Sequence, residues 1–204
     1  MNLVNRLFRA CLAASLVAWV ASSAHAATVA RVSISEMLQA SEFVFQGTVL
    51  SREAVEVGKR GSIVTRVRFQ VLDVIKGRRN LRTIDLDFAG GTVNGLTLSI
   101  AEMNVPNVGD EGVYFVESLQ RRQVHPFYGW DQGHFSVRHE ARGKVIYTAD
   151  LRPVYDLQAG PSARLTEFSA GTANGVVTES SGLQRQVMTL ATFKSRLRGM
   201  ESRR

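Results

Sequence analysis

Cysteine is nearly missing from this 204-residue chain: Cys11 stands alone. One thiol makes no disulfide framework and no thiolate zinc site. Because Cys11 falls within an apolar leader, thiol chemistry is excluded for the rest of the protein. Other absences narrow the function further. There is no Asn-x-Ser/Thr acceptor, and no serine sits in a Gly-x-Ser-x-Gly elbow. Gly90-Gly91-Thr92 and Gly109-Asp110-Glu111-Gly112 lack the lysine and helix start of a nucleotide cradle. After Ala26 no segment reaches the 18 apolar residues of a membrane-spanning helix. What remains, 45% hydrophobic and 21% charged residues, is the composition of a globular domain.

Met1 to Ala26 carries Arg6 and Arg9 but no acid, then an apolar run from Cys11 to Val20, then small residues ending Ala24-His25-Ala26. This order reads as a secretory signal cut before Ala27. The run is half of the roughly 20 residues that cross a bilayer. Cys11 opens the run rather than closing it, which argues against lipid attachment. Removing two of the 25 basic residues with the leader leaves 23 against 18 acids, so the exported chain is mildly basic at +5. Arginine outnumbers lysine 21 to 4, and the leader has a bacterial character. The expected location is therefore the periplasm or the exterior of a bacterium.

The remainder divides into a β domain over 27–156, a flexible connector over 157–186 and a terminal helix over 187–204. Ser33-Ile-Ser-Glu36 matches a capping box, followed by Ile34, Met37 and Leu38 at helical spacing, which predicts a short helix ending near Ala40. Alternation then predicts a strand over 42–51 with Phe43, Phe45 and Val49 on one face, and Gly47 marks a bulge or a close backbone approach. A glycine-flanked turn at 58–61 leads to a long strand over 62–75, whose apolar parity changes after Val71 as it does at a β-bulge. Further strands are predicted at 83–88, 96–100, 112–117, 135–137 and 144–148. From 157 the chain is rich in Gly, Ser, Ala and Thr. Leu190, Phe193, Leu197 and Met200 then repeat at the spacing of an amphipathic helix. The predicted fold class is mainly β: an OB-like antiparallel β-barrel with a short N-terminal helix and an amphipathic C-terminal helix, because closing the sheet removes its edges.

Three segments carry a resemblance: Ser41-Glu-Phe-Val-Phe-Gln-Gly-Thr-Val49, Val67-Arg-Phe-Gln-Val-Leu-Asp-Val-Ile-Lys-Gly77 and Gly109-Asp-Glu-Gly-Val-Tyr-Phe115. Over residues 33–137 the chain resembles the netrin-like, or tissue-inhibitor-of-metalloproteinase-like, OB-fold module. Gly129-Trp-Asp-Gln-Gly-His-Phe135 is similar to a segment shared by bacterial secreted proteins. The resemblance implies a barrel that binds another protein, such as a secreted metalloprotease. The animal inhibitors chelate the protease zinc through an N-terminal cysteine, whereas the first residue here after the leader is Ala27. That inhibitory chemistry therefore does not carry over.

Candidate functional residues form two groups. Phe127, Tyr128 and Trp130, with Asp131 and His134, combine aromatics and glycines on one loop, a composition that suits either recognition or the plugging of a barrel end. Arg66, Arg68, Arg78 and Arg79 lie among nine basic residues between Arg52 and Arg82, and offer an envelope polyanion a basic strand face. Nucleic acid fits poorly, because the aromatics that would stack bases alternate onto the other face. His134 and His139, five residues apart, point to opposite faces of a strand, so no metal site is expected and no cofactor either. Asp131 and His134 are spaced to form a base and its orienter, but no nucleophile accompanies them. Asp85 and Asp87 read as solvated residues alternating with Ile84, Leu86 and Phe88. The expectation is a non-catalytic exported protein that binds a secreted or envelope protein through its loops, with polyanion binding as the alternative.

Overall fold

The structure, a computed structural model, describes residues 29–159, 171–179 and 186–202. The expected secretory leader lies outside the described residues, as do 160–170 and 180–185 of the expected connector. None of the described helices is long and apolar enough to cross a membrane.

Helix α1 spans Ile34–Ala40, and the Ser33 hydroxyl caps it by accepting the Glu36 N–H at 3.0 Å. Among the described residues ten strands follow in chain order: β1 (Phe43–Val57), β2 (Ser62–Lys76), β3 (Thr83–Ala89), β4 (Gly91–Val93), β5 (Leu96–Leu98), β6 (Glu111–Val116), β7 (His134–Glu140), β8 (Gly143–Thr148), β9 (Asp156–Leu157) and β10 (Val176–Val177). Helix α2 spans Leu190–Glu201. Six strands build one antiparallel sheet in the order β3-β2-β1-β6-β7-β8. The protein is thus mainly β, with a large antiparallel sheet and two helices.

Both faces of the sheet are covered, and strand parity sorts the side chains between two cores. One core holds Phe43, Phe45, Phe69, Phe88, Tyr114 and Phe127. The other holds Val44, Val113, Phe115 and Phe135 under α1 and α2. Burial on both faces explains why β6 reads as an unbroken apolar run after Glu111. The edges of the sheet are β3 and β8. They do not pair with each other among the described residues, and no closed barrel is detected. Instead, the Ala89 N–H donates to Val124 O at 2.9 Å while Val116 bridges to Phe127, so residues 124–127 lie between β3 and β6. Along β8, the Ile146 N–H donates to Met188 O at 3.0 Å and Ile146 O accepts from Val154 N–H at 3.0 Å, which blunts that edge.

One of the three register shifts between β1 and β2 falls where the sequence marks it, and the other two, at Val44/Phe45 and Val49/Ser51, are not marked. The β1–β2 register shifts between Gln46 and Gly47, and Asp73 pairs with Gln46 while Val71 pairs with Gly47, leaving Leu72 as the extra residue. A Cβ at Gly47 would lie 2.6 Å from both Gln70 O and the Phe45 ring, so the close approach admits glycine alone. Strand β1 runs six residues past its predicted end because β2 continues to pair with it as far as Val57.

The described parts of 157–186 revise the expectation of a flexible connector. Strands β9 and β10 pair with each other, and Leu157, Ala173 and Val176 are buried in the helix-side core. Small residues let this segment lie close to α1, where Asn174 O accepts the Ile34 N–H at 2.9 Å. Helix α2 docks on its own sheet: Phe193 packs 4.8 Å from the Phe135 ring, and Lys194 and Arg198 reach Asp73 on β2 at 2.6 and 2.9 Å. Burial pushes the Asp73 carboxyl up, but hydrogen bonds from Lys194 and Arg198 more than reverse it and hold it below the usual carboxylate range. Lys194 also donates to Gln46 Oε1 at 2.8 Å, and Gln46 Nε2 donates to Glu111 at 2.6 Å, so a polar chain runs from α2 across β1 to β6.

Candidate functional site

The aromatic loop is mostly interior. Phe127 is fully buried, stacked on Tyr114 at 5.1 Å and edge-on to Phe88 at 5.3 Å, which removes it from any recognition surface. Tyr128 is half-buried and donates its hydroxyl to Glu36 at 3.2 Å, drawing that carboxylate away from the reciprocal half of the capping box. Trp130 is half-buried and stacks on His125 at 5.3 Å. The organising residue is Gln132, buried inside a 3-10 turn over Trp130–Gly133. Its Oε1 accepts the Val32 N–H at 3.0 Å, and its Nε2 donates to Ala30 O at 3.0 Å and to Gly129 O at 3.1 Å. Much of the Gly-Trp-Asp-Gln-Gly segment is therefore a clasp that ties the chain ahead of α1 to the sheet.

The basic strand face is neutralised. The register pairs Arg66 with Asp87 and Arg68 with Asp85. Both guanidiniums engage their carboxylates bidentately, at 2.8 and 3.0 Å for the first pair and 2.7 and 2.8 Å for the second. Hydrogen bonding to Arg68 holds the Asp85 carboxyl below its usual range. Arg78 and Arg79 stand apart, exposed on the β2–β3 turn. The two aspartates that alternation alone marks as solvated are thus half of a cross-strand ladder.

A cleft of about 420 Å³ opens between the loop at 104–110 and β7, with Thr48 on one wall and Leu151 on another. The loop is pinned to β1: the Gly109 N–H donates to Val49 O at 3.0 Å, the Val49 N–H donates to Asp110 O at 3.0 Å, and Arg52 Nη1 donates to Asn107 Oδ1 at 3.0 Å. Its own turn is closed by the Asn107 N–H donating to Asp110 Oδ2 at 2.8 Å. The cleft is therefore formed before any ligand arrives. Glu111 sits at its edge with its side chain only 12% exposed, accepting two hydrogen bonds from Lys144 at 2.8 Å and lying 3.4 Å from His139 Nε2. Burial raises this carboxyl, and the Lys144 and Gln46 hydrogen bonds more than offset that, so it remains ionised.

His134 forms part of the cleft wall. It pairs across strands with Tyr114 and stacks on that ring at 5.0 Å. His134 Nε2 and the Tyr114 hydroxyl are buried without a hydrogen-bond partner among the described residues. Burial pushes the His134 imidazole down to about 4 and the His125 imidazole to about 3, so both are neutral at pH 7. Burial raises the Asp131 carboxyl, opposed by the Asn104 amide 3.5 Å away. The bond between His134 and Asp131 is a backbone one, in which the His134 N–H donates to Asp131 O. The geometry does not bring the Asp131 carboxylate onto the imidazole as a base and its orienter. Among the described residues there is no group of three or more His, Cys, Asp and Glu side chains placed to hold a metal ion.

Leu151 is the residue that sequence patterning misses. It is 50% exposed on the cleft and holds a left-handed φ of +61°, a conformation costing a branched apolar residue roughly 1–2 kcal/mol. A leucine where glycine or asparagine is the relaxed choice, half in water, points to a use outside folding. Comparison with protein-family models, curated proteins and solved structures finds no match.

Proposed function

We propose that this protein is an exported, non-catalytic binding module that engages another secreted or envelope protein through the cleft between the 104–110 loop and β7. On this reading residues 1–26 are its removable signal, and the curved sheet is an OB-like, netrin-like scaffold. The observation that carries the proposal is Leu151, strained and half-exposed on a pinned cleft. A leucine held out by a rigid turn loses little entropy on contact and supplies apolar area at the edge of the cleft, beside the polar Thr48, Asn104 and Asn107. These polar side chains of the same cleft add hydrogen-bonding positions. Recognition therefore moves from Phe127 and Trp130, which belong to the core and its clasp, to Leu151 and the polar side chains beside it. Polyanion binding by the strand face is the weaker reading, because Asp87 and Asp85 already occupy Arg66 and Arg68.

The experiment is retention of a component of envelope extract on the immobilised full chain, compared with its Leu151→Gly variant. Glycine relaxes the backbone, so the variant should melt no earlier than the parent while losing the retained component. Equal retention by both removes the cleft from recognition.

A further inference from the structure

A second cleft, of about 450 Å³, opens where the β2–β3 turn meets α2. It shares no lining residue with the first. Its lining includes the apolar side chains of Val71, Leu72, Val74 and Leu81, and Leu72 is 45% exposed although it belongs to a strand. The bulge that leaves Leu72 unpaired with β1 creates this exposure. The rim carries Arg79, Arg82 and Arg198 against one carboxylate, Asp73. That carboxylate is already matched, since it receives Lys194 at 2.6 Å and Arg198 at 2.9 Å. The Arg79 and Arg82 guanidiniums make no hydrogen bond or ion pair among the described residues. Their turn is nevertheless fixed: Gly77 enters it at φ +97°, the Val71 N–H donates to Arg82 O at 2.8 Å, and Leu81 packs against the aromatic core.

We propose that this cleft binds a phosphomonoester-bearing amphiphile, with the phosphate between Arg79 and Arg82 and the apolar part against Leu72 and Leu81. Two planar guanidinium forks need more acceptors than the two oxygens of a carboxylate or the two non-bridging oxygens of a phosphodiester provide, whereas a terminal phosphomonoester presents three and serves both forks at once. The exposed leucine asks for an apolar partner that free phosphate lacks. A linear polyanion would need a continuing row of free cations, and the neighbouring pair Arg66 and Arg68 is closed by Asp87 and Asp85.

The test is co-sedimentation of the full chain with phosphatidylcholine vesicles containing phosphatidic acid, whose headgroup is a phosphomonoester, and, separately, with vesicles of phosphatidylcholine alone, at low salt. The first should bind and the second should not. Each arginine near an anionic surface is worth about five-fold in affinity, so the R79Q/R82Q double variant should bind about 30-fold more weakly. L72D should also weaken binding, whereas R60Q on the distant 58–61 turn should not. All four side chains are exposed, so the variants test the surface rather than the fold. Equal binding to both vesicle types, or an R79Q/R82Q variant as tight as the parent, overturns the proposal. So does binding of inorganic phosphate or polyphosphate without capture on vesicles. None of these outcomes touches the Leu151 cleft, whose own experiment stands separately.

Discussion

Lowering the pH from 7 to 5 is expected to remove about 4 kcal/mol of folding stability through two histidines alone. An unfolded imidazole titrates near 6.5, whereas burial holds His125 down to about 3 and His134 down to about 4 in the fold. At pH 5 the unfolded chain therefore binds a proton on each ring and the folded chain on neither. Since the unfolded state holds more protons, stability rises with pH in this window and falls as pH drops from about 6.5 towards 4. Each ring contributes about 1.4 kcal/mol per pH unit at full effect, or about 2 kcal/mol over the interval from pH 7 to pH 5. Asp73 and Glu111, whose carboxyls are held low, add their loss only as pH falls below about 4, so they do not mask the effect. Urea denaturation at pH 7, 6 and 5 measures it directly. His134→Phe keeps an aromatic ring against Tyr114 and removes one proton site, so it should halve the pH slope. A parent whose stability is flat over this range, or a variant with an unchanged slope, would refute the burial of these rings as neutral groups.

Other perturbations probe separate parts of the structure. Gly47→Ala drives a Cβ into Gln70 O and the Phe45 ring and should cost about 1–3 kcal/mol or more in a denaturant titration. Gln132→Ala leaves the Val32 N–H and the Ala30 and Gly129 carbonyls without their partner, costing about 1–3 kcal/mol and raising amide exchange just ahead of α1. Asp73→Asn removes the shared carboxylate of Lys194, whose side chain is only 18% exposed, and hydrogen exchange should show α2 loosening before the sheet. By contrast, Asp85→Asn breaks an exposed pair and should change stability by less than about 1 kcal/mol.

The strands and helices were largely legible from the chain because they rest on local patterns. The capping box located α1, period-2 alternation located β2 and β3, and the parity change after Val71 located the Leu72 bulge. The β4–β5 hairpin was only half recognised, although Asn94-Gly95 with positive φ at both residues is a strong two-residue turn signal between alternating segments. The site was far less legible, since its features depend on register between distant strands. Nothing in the neighbours of Arg66 says that Asp87 will stand opposite it. The Tyr114–His134 stack is likewise a cross-strand pair, joining residues twenty apart. The aromatic loop, rich in glycine and amphipathic rings, reads as either a recognition surface or a plug; Gln132, a single amide reaching back 100 positions to Val32, turns it inward. The segment after 157 looked loose because small polar residues lack a period, yet small residues are what permit the close contact of Asn174 with α1.

The central claim is that the 104–110 cleft with Leu151 at its edge is where this protein meets its partner. A photo-crosslinking side chain placed at position 151 of the full chain, in its native cells, addresses this most directly, with one at Leu96 on the exposed β5 strand as the comparison. Irradiation should give a protein adduct of discrete mass from position 151 and none from position 96. No adduct at 151, or the same adducts from both positions, would contradict the claim.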